Sequence, residues 1–197
     1  MNNNITFESV YNNHPINAKV SGCYKKALNK IENIMNEMIS KHSKIMTVRF
    51  DIRYPDGDNI NSSSERVSDF SYNLKRSLDR ETFEGGHKAD AKIVHVQEKE
   101  SSNHPHHHFA VIVNANAKQK AYPILEKANR LWKTMLSTNE DGLVDYCNRY
   151  ENGIIIKRNS PDYEKQYDKT FYQLSYLTKV RGKENRDKGA WLIKTSR

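Results

Sequence analysis

Three consecutive histidines, His106 to His108, open an apolar run of strand type, HHHFAVIVN, and are the residues best suited to chemistry. Because side chains alternate along a strand, His106 and His108 leave one face of the sheet and His107 leaves the other. Two imidazoles on one strand can hold a divalent metal ion from one side and leave its other side open. The alternative is a solvent-exposed polar turn, because short His-rich tracts are weak motifs.

A second candidate group lies in the helical segment from about residue 162 to residue 181. Tyr172, Tyr176 and Lys179 follow one another at spacings of four and three residues, so their side chains neighbour one another on a helix. The packing side of this helix is already occupied by an apolar stripe: Tyr163, Tyr167, Phe171, Leu174 and Leu177. A helix that packs on two sides would instead use both tyrosines in the core.

A tyrosine beside a lysine has a specific chemical use. A phenolate can attack a phosphodiester and form a covalent phosphotyrosine. Because free tyrosine has a pKa of about 10, the phenol needs help at neutral pH. A nearby ammonium favours the phenolate, and a metal ion polarises the phosphoryl oxygen. The histidines, the tyrosine and a basic surface together predict the cutting and rejoining of DNA strands.

Composition sets the class of partner and compartment. The 197 residues carry a net charge of +8, which favours a polyanion such as nucleic acid, although solubility charge is the alternative. Cys23 and Cys147 form no Cys-x-x-Cys pair, so neither a zinc ribbon nor a disulfide scaffold is expected. Without an apolar run of about 20 residues or a signal peptide, we expect a cytoplasmic protein that does not contact a membrane.

The elements that must position these residues alternate between helices and strands. We expect strands at 46–55, 91–98, 106–114 and 153–158, and helices at 18–41, about 117–136 and about 162–181. A further helix follows a capping box of Ser62 and Glu65. A short polar link makes 91–98 and 106–114 a hairpin, and the second strand is apolar on both faces and therefore central. The expected class is α+β, with a central antiparallel sheet of about five strands flanked by helices.

A His-hydrophobic-His motif on a central strand, followed downstream by Tyr-x-x-Lys on a helix, resembles the HUH endonucleases. The closer resemblance is to the inovirus-type rolling-circle replication initiators of filamentous phages and prophages. Their pattern is a strand ending in Glu, then HPHYH, an apolar strand with Asn, and SYLAK. This chain has Glu98, HPHHH at 104–108, FAVIVN and SYLTK at 175–179, and the resemblance runs from about residue 45 to the end. One departure is His107, which stands where the family has a hydrophobic or aromatic residue.

The resemblance implies an HUH/RRM-like nuclease fold that spans residues 1–197 as one domain, with residues 1–45 as an N-terminal helical extension. It also implies that His106 and His108 hold Mg²⁺ or Mn²⁺ together with a third ligand from the neighbouring strand. Glu98 is the first choice for that ligand and Gln97 the second. His104 competes for the ion if the hairpin loop folds back.

The resemblance further implies that Tyr176 attacks the scissile phosphate, leaving a 5′-phosphotyrosine and a free 3′-OH, while Lys179 positions the phosphate or favours the phenolate. Tyr172 stands where some relatives have a second nucleophile, although Ser175 replaces the lysine expected three residues later. The substrate would be single-stranded or hairpin origin DNA, unwound by a host helicase. Candidate contacts to the DNA backbone, which are otherwise surface charge, are Arg49, Arg53, Lys157 and Arg158.

Other functions fit the same residues. One is a DNA-binding or regulatory protein with weak catalysis on the same scaffold. A relaxase or transposase would share the chemistry, and an unrelated metal-binding or RNA-binding module is a third possibility. The role of the N-terminal helix is open: it covers the sheet, binds DNA or contacts a partner.

Overall fold

A six-stranded antiparallel sheet forms the centre of the protein, seen in a computed structural model that describes residues 4–56, 62–81, 86–99, 104–147, 151–183 and 192–196. The strands in these ranges are β1 (Ile5–Thr6), β2 (Val10–Tyr11), β3 (His14–Pro15), β4 (Cys23–Tyr24), β5 (Lys44–Ile52), β6 (Lys92–Glu98), β7 (His106–Asn114), β8 (Val144–Asp145), β9 (Ile154–Lys157) and β10 (Lys194–Thr195). The helices are α1 (Lys25–Lys41), α2 (Ser64–Arg80), α3 (Tyr122–Leu136) and α4 (Tyr163–Ser175), and a 3₁₀ turn at Tyr176–Thr178 follows α4 directly.

The sheet places β7 at its centre. The strand order is β10-β6-β7-β5-β8, and β9 also pairs with β5. This confirms the predicted α+β class with a central antiparallel sheet, with six strands where about five were expected. The predicted hairpin of β6 and β7 and the central position of β7 are also confirmed. The register sets Glu98 opposite His106 and Asp51 opposite His108.

Helices cover both faces of the sheet. Successive residues of the long strands point to opposite faces, and both sets are largely apolar, so each face needs a covering layer. Helices α2 and α3 cover one face, where Phe50 and Phe109 stack with ring centroids 5.2 Å apart and Trp132 is fully buried. Helices α1 and α4 cover the other face, over Ala110, Ile112 and their neighbours. In the described ranges, no helix has both the length and the apolar composition that a membrane span requires.

Helix α1 is a layer of the core, whereas residues 1–45 were expected to form an extension. Leu28, Ile31 and Met35 have no exposed surface and pack in the same cluster as Ile112 and Phe171. The helix begins at Lys25 rather than at residue 18, and the short strands β1 to β4 precede it. Of the three roles left open for this helix, covering the sheet is the one its contacts support.

Two helix ends differ from the predicted ones because hydroxyl groups satisfy backbone atoms there. The side chain of Ser63, not Ser62, caps α2 by accepting a hydrogen bond from the Arg66 amide at 3.3 Å. Helix α4 ends at Ser175 instead of near residue 181, where Ser175 Oγ donates to the Tyr172 carbonyl and Thr178 Oγ1 to the Ser175 carbonyl, each at 2.7 Å. Such local bonds favour a tight 3₁₀ turn over a continuing α-helix.

One buried histidine lies on the α2/α3 face of β6. The ring of His95 stacks on Phe109, with centroids 5.0 Å apart, and 7% of the residue is exposed. Burial, with a smaller effect of Lys194, lowers the pKa of His95 from 6.5 to about 3. The folded protein therefore holds this ring neutral over a range of pH in which the unfolded chain protonates it.

Replacing His95 with Phe should flatten the loss of stability in acid. As pH falls from about 6.5 towards 3, His95 is protonated in the unfolded state but stays neutral in the folded state. The free energy of unfolding therefore falls by up to about 1.4 kcal/mol per pH unit. In His95→Phe this contribution disappears. Urea unfolding at a series of pH values measures the slope, with the exposed His87→Gln as control. Equal acid slopes in wild type and His95→Phe would contradict the assignment.

Candidate active site

A polar pocket of about 420 Å³ opens on the α1/α4 face, where β5 and β6 end and β7 begins. It gathers most of the residues that the sequence singled out, and they come from distant parts of the chain. These lining residues are His106, His108, Glu98, Tyr176, Lys179 and Arg53. The structure therefore brings the two predicted half-sites, on β7 and at the end of α4, into one cavity.

Strand register decides between the candidate ligands on β6. Glu98 lies opposite His106, and both line the pocket, whereas Gln97 lies opposite His107 and shares the other face of the sheet. Gln97 is therefore directed away from the pocket. Glu98 is the β6 residue placed for a ligand.

The two remaining histidines of the motif lie on the α2/α3 side. His107 is 3% exposed, and its ring centroid lies 6.4 Å from that of Tyr54. His104 lies 5.8 Å from the same ring, so it does not reach the pocket. Burial lowers the pKa of His107 to about 3, which makes it a neutral packing residue. The unusual middle histidine is thus part of the core and leaves the His106/His108 pair intact.

Asp51 is a pocket residue that the sequence analysis missed. It is the cross-strand partner of His108 on β5, with its Oδ1 2.8 Å from His108 Nδ1. On the other side of the same ring, His108 Nε2 contacts the carboxylate of Glu98. The Asp51 and His108 atoms are buried and close, but they are not aligned as a hydrogen bond. The alternation of side chains in VRFDIRYP predicts that Asp51 shares a sheet face with Arg49 and Arg53. The local sequence does not indicate that β7 is the neighbouring strand, so the contact with His108 could not be predicted.

The two carboxylates control the charge of His108. Burial alone would lower its pKa, but the contacts with Asp51 and Glu98 raise it above its ordinary value. In turn, His108 holds the pKa of both carboxyl groups below their usual range, although burial opposes this. His106 differs, because burial and then Arg53 lower its pKa. The resting pocket thus holds a cationic ring between two anions, with a neutral imidazole beside it.

Tyr176 stands against this cluster. Its ring meets that of His108 edge-on, with centroids 5.3 Å apart and planes at 86°. Two cations lie over the phenol ring, Lys179 Nζ at 4.6 Å and Arg49 Cζ at 4.8 Å from its centroid. Burial raises the pKa of Tyr176, and Glu98 and Asp51 raise it further. The tyrosine is therefore a neutral phenol at rest.

Arg49 lies inside the protein, which corrects its predicted place among the surface contacts to DNA. Its side chain is buried, and Nη1 donates to the Gln173 carbonyl at 3.1 Å. The side chain of Asn152 spans the gap between β9 and β8 and hydrogen-bonds both the amide and the carbonyl of Arg49, at 2.8 and 2.6 Å. Arg49 is thus fixed beside Tyr176 by its main chain and its side chain.

Three other predicted residues lie outside the pocket. Tyr172 is 43% exposed on α4, one turn before Tyr176. Lys157 is exposed on β9 opposite Lys44. Arg158 donates from Nη1 to the Ser40 carbonyl at 3.1 Å, near the end of α1. Of the four basic residues proposed to contact DNA, Arg53 is the one that is both exposed and at the pocket.

The N-terminal segment holds the chain that carries Tyr176 and Lys179. Cys23 forms a β-bridge with Lys179, and the Val180 amide donates to the Gly22 carbonyl at 3.2 Å. The Asn17 amide donates to Ser175 Oγ at 2.8 Å. These contacts attach the N-terminal segment to both ends of the 3₁₀ turn, so the position of the tyrosine depends on residues far from it in sequence.

A compact group of metal-type ligands lies next to the pocket. In the described part of the chain, the residues that offer three such atoms within 4.8 Å of one another are Asp51, Asp145 and Cys147. Burial, and then Asp51, raise the pKa of the Cys147 thiol to about 12, so the sulfur is protonated at neutral pH. Asp51 belongs both to this group and to the ion pair with His108. A possible metal-ligand group is therefore present, and its carboxylate oxygens are its available donors.

Gly182 packs against Glu98 and is needed there. Its φ of +73° favours glycine, and a Cβ at this position would overlap the Glu98 side chain. The Lys99 amide also donates to the Gly182 carbonyl at 2.9 Å. The loop after Lys179 thus lies directly against the side chain of Glu98.

Alanine at Gly182 should destabilise the protein more than alanine at Gly142. Gly142 has a φ of +79° and nothing near its absent Cβ, so Gly142→Ala carries only the backbone cost of roughly 1 kcal/mol. Gly182→Ala adds the displacement of Glu98, for a total of roughly 2–3 kcal/mol. Urea unfolding of both variants measures the difference. Equal losses would show that the contact with Glu98 is unimportant.

Comparison with known proteins places this fold and pocket in a family. Neither the comparison with curated proteins nor that with solved structures gives a significant match. The family model for the YagK/YfjJ C-terminal domain matches residues 6–190, which includes every pocket residue described above. Because the match spans nearly all of the chain, this protein belongs to the YagK/YfjJ C-terminal domain family, which is associated with prophage-type proteins.

Proposed function

We propose that this protein is a metal-dependent endonuclease of the HUH type that nicks and rejoins single-stranded DNA through Tyr176. The observation that carries the proposal is the meeting of Tyr176 and His108, whose rings stand 5.3 Å apart in one pocket with His106 and Glu98. Tyr176 follows α4, whereas His106 and His108 lie on β7. Apolar packing alone does not require these polar side chains to meet in one cavity, so their meeting supports a shared chemical role.

The reaction exchanges one phosphate ester for another. Tyr176 Oη bonds to phosphorus, the bond to the 3′-oxygen breaks, and the phenolic proton ends on that oxygen as a 3′-OH. The 5′-phosphotyrosine keeps the energy of the ester, so the reverse attack rejoins the strand without ATP. Because Tyr176 rests as a phenol, the negative charge that develops needs compensation. Lys179 and Arg49, which lie 4.6 and 4.8 Å from the centroid of its ring, are placed to supply it.

The donor set of the pocket fits a hard divalent cation. Asp51 Oδ1 and His108 Nδ1 are buried, adjacent and without an aligned hydrogen-bond partner. Loss of the proton from His108 would free an imidazole lone pair for the ion beside these carboxylates. Imidazole nitrogen and carboxylate oxygen suit Mn²⁺ or Mg²⁺. We expect His106, His108 and Glu98 to hold the ion, with Asp51 as a further ligand. When bound, it would polarise the phosphoryl oxygen.

The substrate proposed is single-stranded or hairpin DNA. The pocket is partly enclosed, and Tyr176 is half-buried in it, so a phosphate must enter from a strand that is free to bend. Arg53 at the pocket and a chain charge of +8 favour a polyanion. Because Tyr172 lies outside the pocket, the geometry favours one nucleophile, and a role for Tyr172 in a second transfer stays a prediction.

The biological role proposed is the start of rolling-circle replication in a prophage-type element. Two points support it: the resemblance of the HPHHH and SYLTK motifs to the inovirus-type initiators, and membership of a family associated with prophage-type proteins. A host helicase would then be a partner. A relaxase or a transposase would use the same pocket in the same way.

A second candidate function is DNA binding with little cleavage. It is favoured by the ion pairs of His108, because a protonated imidazole cannot bind a metal until it loses its proton. A protein in which this cluster is only structural would bind DNA and leave it intact. Formation of a covalent protein–DNA adduct distinguishes the two functions, because only the endonuclease forms one.

Tyr176→Phe should abolish covalent attachment to DNA, because the phenol oxygen is the only atom removed. The full-length protein is incubated with Mn²⁺ and a pool of random single-stranded oligonucleotides of about 40 nucleotides, and SDS-resistant adducts are measured on a gel. The matched control, Tyr172→Phe, should retain the adduct. An adduct that survives in Tyr176→Phe and is lost in Tyr172→Phe would move the nucleophile to α4.

Removal of single carboxylates should locate the metal ion. Glu98→Gln and Asp51→Asn should each weaken Mn²⁺ binding by at least about tenfold in calorimetric titrations, because each removes a charged ligand. Asp145→Asn, in the neighbouring group, should leave the affinity within about twofold. If Asp145→Asn weakens binding and Glu98→Gln does not, the ion lies with Asp145 and Cys147 instead. Chelator-insensitive adduct formation would remove the metal from the reaction.

A further inference from the structure

A second groove, of about 830 Å³, lies between α2 and the sheet edge formed by β6 and β10. His95 forms part of its lining, and His95 leaves β6 on the face opposite to Glu98. The groove and the active-site pocket therefore border the same strand from its two faces. The pocket residues do not contribute to the groove.

The groove is strongly cationic. Four basic side chains from three separate elements line it: Lys30, Lys75, Arg76 and Lys194. Among the described residues, the only acidic side chain in its lining is Asp79, which is already paired with Lys75. Two of the basic side chains are positioned by hydrogen bonds: Lys30 Nζ donates to the Ile193 carbonyl at 3.3 Å and Lys194 Nζ to Ser68 Oγ at 3.1 Å. With Lys75 paired to Asp79, the positive charges of Lys30, Arg76 and Lys194 remain in the lining, and such a cluster of positive charges fits a polyanion.

Tyr72 adds an aromatic platform to these charges. It lies on α2 in the groove lining and is 64% exposed, an unusual position for a large aromatic ring. Exposed aromatic rings beside cations are how proteins hold single strands, because every base has a face that can stack on the ring. A base in an intact duplex is already stacked, so this combination favours a single strand over a duplex.

We propose that this groove binds the single-stranded DNA that flanks the cleaved phosphate, with Tyr72 stacking on a base and Arg76 and Lys194 contacting phosphates. The proposal rests on the DNA-nicking function proposed for the pocket. It adds a second point of attachment for the strand, on the opposite face of β6. The affinity for DNA therefore depends on residues that do not take part in cleavage.

The test is fluorescence anisotropy of the full chain with a labelled oligothymidine of about 20 nucleotides, a length that spans a typical single-strand site. Tyr72→Ala and Arg76→Glu should each weaken binding by about tenfold. Two exposed residues of α3, on a separate surface, provide matched controls: Tyr122→Ala and Arg130→Glu, which should bind within about twofold of wild type. Equal affinity in Tyr72→Ala and Tyr122→Ala would overturn the proposal.

Heparin distinguishes a nucleic-acid groove from a general anionic surface. Arg76→Glu should weaken heparin binding, but Tyr72→Ala should not, because heparin has no bases to stack. If Tyr72→Ala weakens both polymers equally, the groove is an anion site and the proposal is wrong. Failure of the nicking function is a separate outcome: wild type would then form no SDS-resistant adduct, while the anisotropy still reports on the groove.

Discussion

His108 is held between two carboxylates, Asp51 from one neighbouring strand and Glu98 from the other, and the candidate site depends on this contact. The arrangement requires β7 to lie between β5 and β6 in one particular register, since a shift of β7 by one residue would turn His108 to the other face, away from both carboxylates. Two apolar cores, one on each face of the sheet, enforce that register. Packing energy thus determines the electrostatics of the pocket.

The second constraint is the early end of α4. Had the helix continued past Thr178, Lys179 would have stayed on the helix surface in line with Tyr172 and Tyr176. Instead, the hydroxyls of Ser175 and Thr178 tighten the chain into a 3₁₀ turn, and the N-terminal segment pairs with it at Cys23. The phenol of Tyr176, at the start of this turn, lies against the ring of His108, while Tyr172 lies on the surface. The N-terminal region therefore has a role in the site as well as in the core.

The sequence predicted the strand features well, because hydrophobic alternation is a local signal. It correctly placed β6 and β7, made β7 central and separated His107 from its neighbours. It missed Asp51 and misplaced Arg49, because both assignments depend on which strand pairs with β5, and pairing is not a local property. It also extended α4 too far, because the periodicity of its apolar residues continues past the hydroxyl groups that end the helix. The fold class was therefore easier to predict than the site.

The account depends most on the proposal that the phenol oxygen of Tyr176 forms the covalent bond to the phosphorus of the cleaved phosphate. The direct measurement is peptide mapping by mass spectrometry of the protein after reaction with single-stranded DNA and Mn²⁺, followed by nuclease digestion. The account predicts a nucleotide attached through a 5′-phosphate to the peptide that contains Tyr176, and an unmodified Tyr172. A nucleotide on any other residue, or DNA cleavage without a covalent peptide, would contradict it.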